Sequence, residues 1–205
     1  MGSITASTPA SSGLASARAA SLDVLPRDGN WDRLPFGKRA PDTVEYGRWL
    51  EGLLDAYLAD PEPPNVRLLD DLLRLLLGGR SIKEGVGTTD YGILVIEPDG
   101  TVEKNDTLKV AGAGADRFER HWSVLEHGFD EILGSPEFVE YYRQQRPLSS
   151  MCAVCPDLGV CGGGMVAHRW SSDRGFDNPT IFCADQRHVI ARMRELIDDV
   201  QSRAA

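Results

Sequence analysis

All four cysteines of the chain, Cys152, Cys155, Cys161 and Cys183, lie in one stretch of a 205-residue sequence. No other feature restricts the fold as much. A chain of this length buries enough core to stand without disulfides, so thiols gathered in this way read first as a metal or redox site. Their order is Cys-x2-Cys-x5-Cys, a gap, then Cys183. A Cys-x2-Cys pair lets two thiolates converge on one centre from a tight turn. Two more cysteines close a four-sulfur shell of the kind that selects zinc or an iron–sulfur cluster. Spacing alone leans to zinc, whose structural sites are often built from four cysteines, with an iron–sulfur cluster second. A thioredoxin-like pair at Cys152 and Cys155 comes third, because no strand precedes it and two further cysteines stand nearby.

The neighbours of the cysteines add detail. Gly162, Gly163 and Gly164 follow the third cysteine directly. Residues without Cβ let backbone lie close to a bulky centre and turn N–H groups toward its sulfurs. Cys183 opens a run in which Ile190, Met193, Leu196, Ile197 and Val200 form one apolar helical stripe, so it sits at a helix N-terminus that favours a thiolate. His168 and Arg169 are the other candidates near the centre. Arg169 could reach a cluster sulfide or a substrate carboxylate, and the plainer reading has it tie the loop through backbone carbonyls.

Elsewhere the pattern is that of an α+β fold: a small β-hairpin and a cysteine-rich loop flanked by α-helices. Residues 1–22, mostly Ala, Ser, Gly and Thr, are expected to be a disordered tail, without the basic start and apolar region of a secretory signal. Residues 23–41, with Pro26, Pro35 and Pro41, read as an extended packed linker. Helical spacing runs from Thr43 until Pro61, and again over 66–77 until Gly78-Gly79. The acidic residues of these helices, Glu51, Asp55, Asp70 and Asp71, read as solvated faces. YGILVI at 91–96, then Pro98-Asp99-Gly100, predicts the hairpin. Ser135-Pro136-Glu137 starts a helix expected to end near Gln145. His121 and His127 read as surface or satisfied side chains. With 22 Lys and Arg against 31 Asp and Glu, the formal charge is −9. No global field favours nucleic acid or an anionic membrane, and no apolar run approaches the ~20 residues of a bilayer span. A cytoplasmic protein is expected.

The segment CAVCPDLGVCGGGMVAHRW (152–170) followed by GFDNPTIFCAD (175–185) resembles the SPASM domain, the C-terminal auxiliary-cluster module of radical S-adenosylmethionine enzymes, above all those that mature ribosomal peptides. The resemblance is tighter over 85–190 and loose over 23–203. It implies that Cys152, Cys155, Cys161 and Cys183 hold one 4Fe–4S cluster, with Gly162, Gly163, Gly164, His168 and Arg169 around it. The cysteines of the family's other auxiliary cluster are missing. Asn105 stands in one place, residues 84–90 contain none, and Met165 replaces the cysteine that should follow Cys161. Asn105, Asp106 and Met165 are expected to be structural.

The Cys-x3-Cys-x2-Cys motif that holds the catalytic cluster is also absent from the sequence, so no S-adenosylmethionine site is expected in this chain. Residues 23–83 resemble the end of the catalytic barrel and 84–205 the cluster domain. The implied role is an electron-transfer or structural accessory, or a split half, of a radical S-adenosylmethionine enzyme. Its partners would be that enzyme or its barrel subunit, and a precursor peptide. The alternative is a zinc-stabilised, non-enzymatic interaction domain using the same four ligands.

Overall fold

The computed structural model describes residues 21–89, 92–112 and 114–204. Most of the expected tail, and Tyr91 at the start of the expected strand, lie outside them. Residues 23–41 form no helix or strand, and they are pinned along their length. Trp31 Nε1 donates to the Pro179 carbonyl at 2.7 Å, Asn30 Nδ2 to that of Val110 at 2.9 Å, and Asp32 accepts the Ser172 N–H.

Helix α1 spans Glu45–Ala59 and α2 spans Arg67–Leu76. Leu50, Leu54, Leu68, Leu69 and Leu72 are buried, as the helical spacing requires, whereas Trp49 and Leu58 point outward. Gly78, at φ 83°, supplies the left-handed residue that ends the second helix. Asp71 departs from expectation. It is buried on the core side of α2, with Arg74 Nη1 3.7 Å from its carboxylate, rather than on a solvated face.

The hairpin is present and very short. Strand β1 (Val95–Ile96) pairs antiparallel with β2 (Val102–Glu103), Val95 opposite Glu103 and Ile96 opposite Val102. Tyr141 shortens it: its hydroxyl stands between the two segments, donating to the Ile93 carbonyl at 2.7 Å and accepting the Asn105 N–H at 3.2 Å. A 3-10 helix, Asp106–Ala111, follows, then α3 (Phe129–Leu133) and α4 (Pro136–Arg143). Ser135 Oγ caps α4 by accepting the Phe138 N–H at 3.2 Å. The cysteine region holds α5 (Ser150–Ala153), α6 (Leu158–Cys161) and a second 3-10 helix, Val166–Arg169; α7 runs over Cys183–Ala204.

Two apolar clusters hold these elements. One joins α1, α2, α6 and α7 through Leu50, Leu54, Leu69, Val160, Cys161, Val189, Ile190 and Met193. The other joins the hairpin region to α3, α4 and the second 3-10 helix through Val102, Phe118, Trp122, Ile132, Tyr141 and Val166. Cys161 belongs to the first cluster, so the cysteine loop is anchored in the helical core.

Candidate metal centre

Two short helices, the turn between them and the first residue of α7 present the sulfurs. Cys152 lies in α5, whose start is fixed by Ser149 Oγ accepting the Met151 N–H at 3.3 Å. The chain then turns back, with Cys155 N–H donating to the Cys152 carbonyl at 3.1 Å. Cys161 ends α6, and Cys183 opens α7 as the apolar stripe implies. Residues this far apart in sequence converge: Cys152, Cys155, Cys161 and Cys183 line one cavity of about 70 Å³, with Met151, Gly163, Thr180 and Arg187 also on its wall. The free volume exceeds the ~10–15 Å³ that a single water needs.

The sulfurs surround this space without closing on a point. Among the described residues, only Glu97, Glu103 and Asp106 bring three metal-ligand atoms within 4.8 Å of one another. No three of the four sulfurs are that close. A tetrahedral zinc site with Zn–S of ~2.3 Å would have sulfur–sulfur edges of about 3.8 Å.

Burial pushes the Cys161 thiol up to about 12 and raises those of Cys152 and Cys183. Mutual repulsion among developing thiolates adds to this. Arg169 opposes it at Cys152 and Arg187 at Cys183. A set of protonated thiols that must ionise together is the state from which metal uptake releases protons.

The glycine run answers first to packing. All three residues have positive φ, at 65°, 84° and 68°. A Cβ on Gly162 would lie 1.9 Å from the Gly87 carbonyl oxygen, and one on Gly164 would strike Thr180 at 2.7 Å. A Cβ on Gly163 would likewise strike Pro147 at 2.6 Å, so all three let protein approach protein. Of the three, Gly163 also lines the cavity, and its backbone N–H works against the rise of the Cys161 thiol pKa.

His168 and Arg169 do not line the cavity. His168 is buried with its ring edge-on to Phe182, centroids 5.0 Å apart, and burial pushes its pKa down to about 4. Arg169 is fully buried and donates from Nη2 to the Gln145 carbonyl at 2.9 Å, the loop-tying role. Its charge still acts on Cys152 and on Glu84.

The positions that depart from the SPASM pattern, at its other auxiliary cluster, are filled by structure. Asn105 donates from Nδ2 to both oxygens of Glu84 at 3.0 Å, and its Oδ1 accepts the Thr107 N–H that caps the first 3-10 helix. A Cβ on Gly85 would lie 2.9 Å from Met165 Cγ.

Sequence reasoning missed several residues that hold the site. Asp157, buried between Cys155 and Cys161, pairs with Arg187 at 3.3 Å and with Arg194, fastening the loop to α7. Gln186 meets Cys161, whose S–H donates to Oε1 at 2.7 Å. Asp185 is fully buried. Its Oδ2 takes the Lys38 ammonium at 2.7 Å, and its Oδ1 caps α1 from outside by accepting the Gly47 N–H at 2.8 Å. The only sequence signal for Asp185 and Gln186 was their place in the first turn after Cys183.

No protein-family model matches the chain, and no curated protein matches it. Solved structures do. The chain is similar in fold to anSMEcpe, a radical SAM anaerobic sulfatase-maturating enzyme carrying a SPASM domain. Native anSMEcpe with bound AdoMet has a TM-score of 0.63 at 18% identity, over 81% of this chain and 44% of that one. Native anSMEcpe with AdoMet and a bound peptide gives 0.64 at 18% identity, over 87% and 48%. The chain therefore spans less than half the length of these neighbours, and the likeness is one of fold. Among the described residues, no helix is long and apolar enough to cross a membrane.

Proposed function

We propose that the chain is a SPASM-type module that holds one 4Fe–4S cluster through Cys152, Cys155, Cys161 and Cys183. It would serve a radical S-adenosylmethionine enzyme acting on a ribosomal peptide, as an accessory or as one half of a split enzyme. One observation carries the reading: four cysteines, from two short helices, the turn between them and the first residue of α7, line a single cavity of about 70 Å³. Two others support it. The sulfurs are spread wider than a zinc tetrahedron, and the fold is similar to that of anSMEcpe, crystallised with AdoMet and with a peptide.

When bound, such a cluster supplies one-electron transfer. The chain's own residues do the rest. Four cysteines complete the ligand shell and leave no position for substrate to coordinate. Gly163 N–H stabilises charge on the Cys161 sulfur, and Arg169 and Arg187 offset the negative charge gathered by the thiolates. Leu158 and Thr180 supply further wall between the elements that carry the ligands. A reducing compartment, the cytoplasm, suits four free thiols. Electron relay needs a catalytic cluster outside these 205 residues, so the working partner is a radical S-adenosylmethionine barrel.

Anaerobic purification or reconstitution tests this. The expected protein is brown, with about four irons and four sulfides per chain, and Cys161→Ser or Cys183→Ser loses them. A colourless protein with one stoichiometric zinc would refute the cluster and return the zinc-stabilised interaction domain.

A further inference from the structure

Gln186 lies three residues after Cys183 on α7, so both side chains leave the same face of the helix. That face brings the Gln186 amide to Cys161, where the S–H donates to Oε1 at 2.7 Å. The amide makes no other side-chain hydrogen bond among the described residues. A thiol can donate to a carbonyl oxygen and a thiolate cannot. Once Cys161 becomes a ligand, an amide oxygen against its sulfur would set two acceptors together. Rotation of the terminal amide exchanges Oε1 for Nε2 and converts the clash into an N–H···S hydrogen bond without moving the backbone. Cys161 would then receive the Gln186 amide N–H on the sulfur that already lies against that side chain.

We propose that Gln186 is a positioning residue that donates a hydrogen bond to the Cys161 sulfur of the bound cluster and thereby sets its reduction potential. The inference rests on the cluster reading above. Hydrogen bonds to cluster sulfurs stabilise the more negative, reduced state, so losing one shifts the potential downward.

The test uses the full chain, reconstituted anaerobically with iron and sulfide. Gln186→Leu keeps similar bulk and removes the donor. Expected is a wild-type iron and sulfide content with a midpoint potential shifted to more negative values. Gln186→Glu, which places an acceptor at the sulfur, should shift it further in the same direction. An unchanged potential in Gln186→Leu at wild-type iron content overturns the proposal.

A second measurement needs no variant. With glutamine side chains 15N-labelled, pulsed EPR of the reduced wild-type protein should show a nitrogen coupled to the cluster. Absence of that coupling also overturns the proposal. A wild-type protein that holds zinc and no iron refutes the cluster reading itself, an outcome that metal analysis separates from the other two.

Discussion

Replacing Asp185 tests how the site is tied to the rest of the molecule. The Lys38 and Asp185 side chains are 3% and 0% exposed, with Nζ 2.7 Å from Oδ2. Asp185→Asn keeps the shape and an acceptor for the Gly47 N–H, and leaves the Lys38 ammonium with the Thr43 carbonyl and the Phe182 ring but no counter-charge. Breaking a buried pair by removing one partner costs about 3–5 kcal/mol, because the other charge stays buried and uncompensated. For a domain of this size about 2–4 °C of Tm accompanies each kcal/mol, so the midpoint should fall by roughly 6–20 °C.

Lys38→Met should cost a similar amount, stranding the carboxylate instead. The double variant should lose less than the sum of the singles by at least ~1 kcal/mol, since neither charge is then abandoned. Thermal and urea unfolding of the three variants at matched metal content completes the cycle. Single variants each costing under ~1 kcal/mol, or an additive double, would refute the argument that this pair locks α7 to α1 and to residues 23–41.

His168 gives a pH signature. Its unfolded form takes a proton near the usual histidine value of 6.5, and the folded form resists until about 4. Stability should hold above that window and fall as pH drops through it, by up to ~3 kcal/mol; His168→Gln should remove this component from the difference in urea midpoints between pH 7 and 5. Gly162→Ala forces a Cβ to 1.9 Å from the Gly87 carbonyl oxygen at φ 65°, and should destabilise by at least about 2 kcal/mol in urea melts. Gly159→Ala, with open space at its Cβ inside α6, should be neutral or stabilising by ~0.5–1 kcal/mol.

The helices whose periodicity and stop signals agree were legible: α1, α2, α4 and α7 stand within two or three residues of expectation, and Cys183 falls at the first residue of α7. Legibility failed where a tertiary partner decides. YGILVI has strand composition, yet the Tyr141 hydroxyl takes both the Ile93 carbonyl and the Asn105 N–H, so the described ladder is two residues long. Asp71 looks like a surface carboxylate until α2 packs with it inward. At the site, the cysteine spacing announced a four-sulfur set, whereas Asp157, Asp185 and Gln186 are ordinary polar letters. Their partners lie about 25–147 residues away, and no local pattern records them.

Cys152, Cys155 and Cys161 belong to one loop, and Cys183 heads the helix that packs on α1. An inorganic centre bound to all four therefore closes a ring of about 20 residues that contains the glycine run, the second 3-10 helix and buried Arg169. Chain-entropy reasoning for cross-links gives a closure of this length about 3 kcal/mol. Chains carrying such a centre would then outlive empty ones in the presence of a protease.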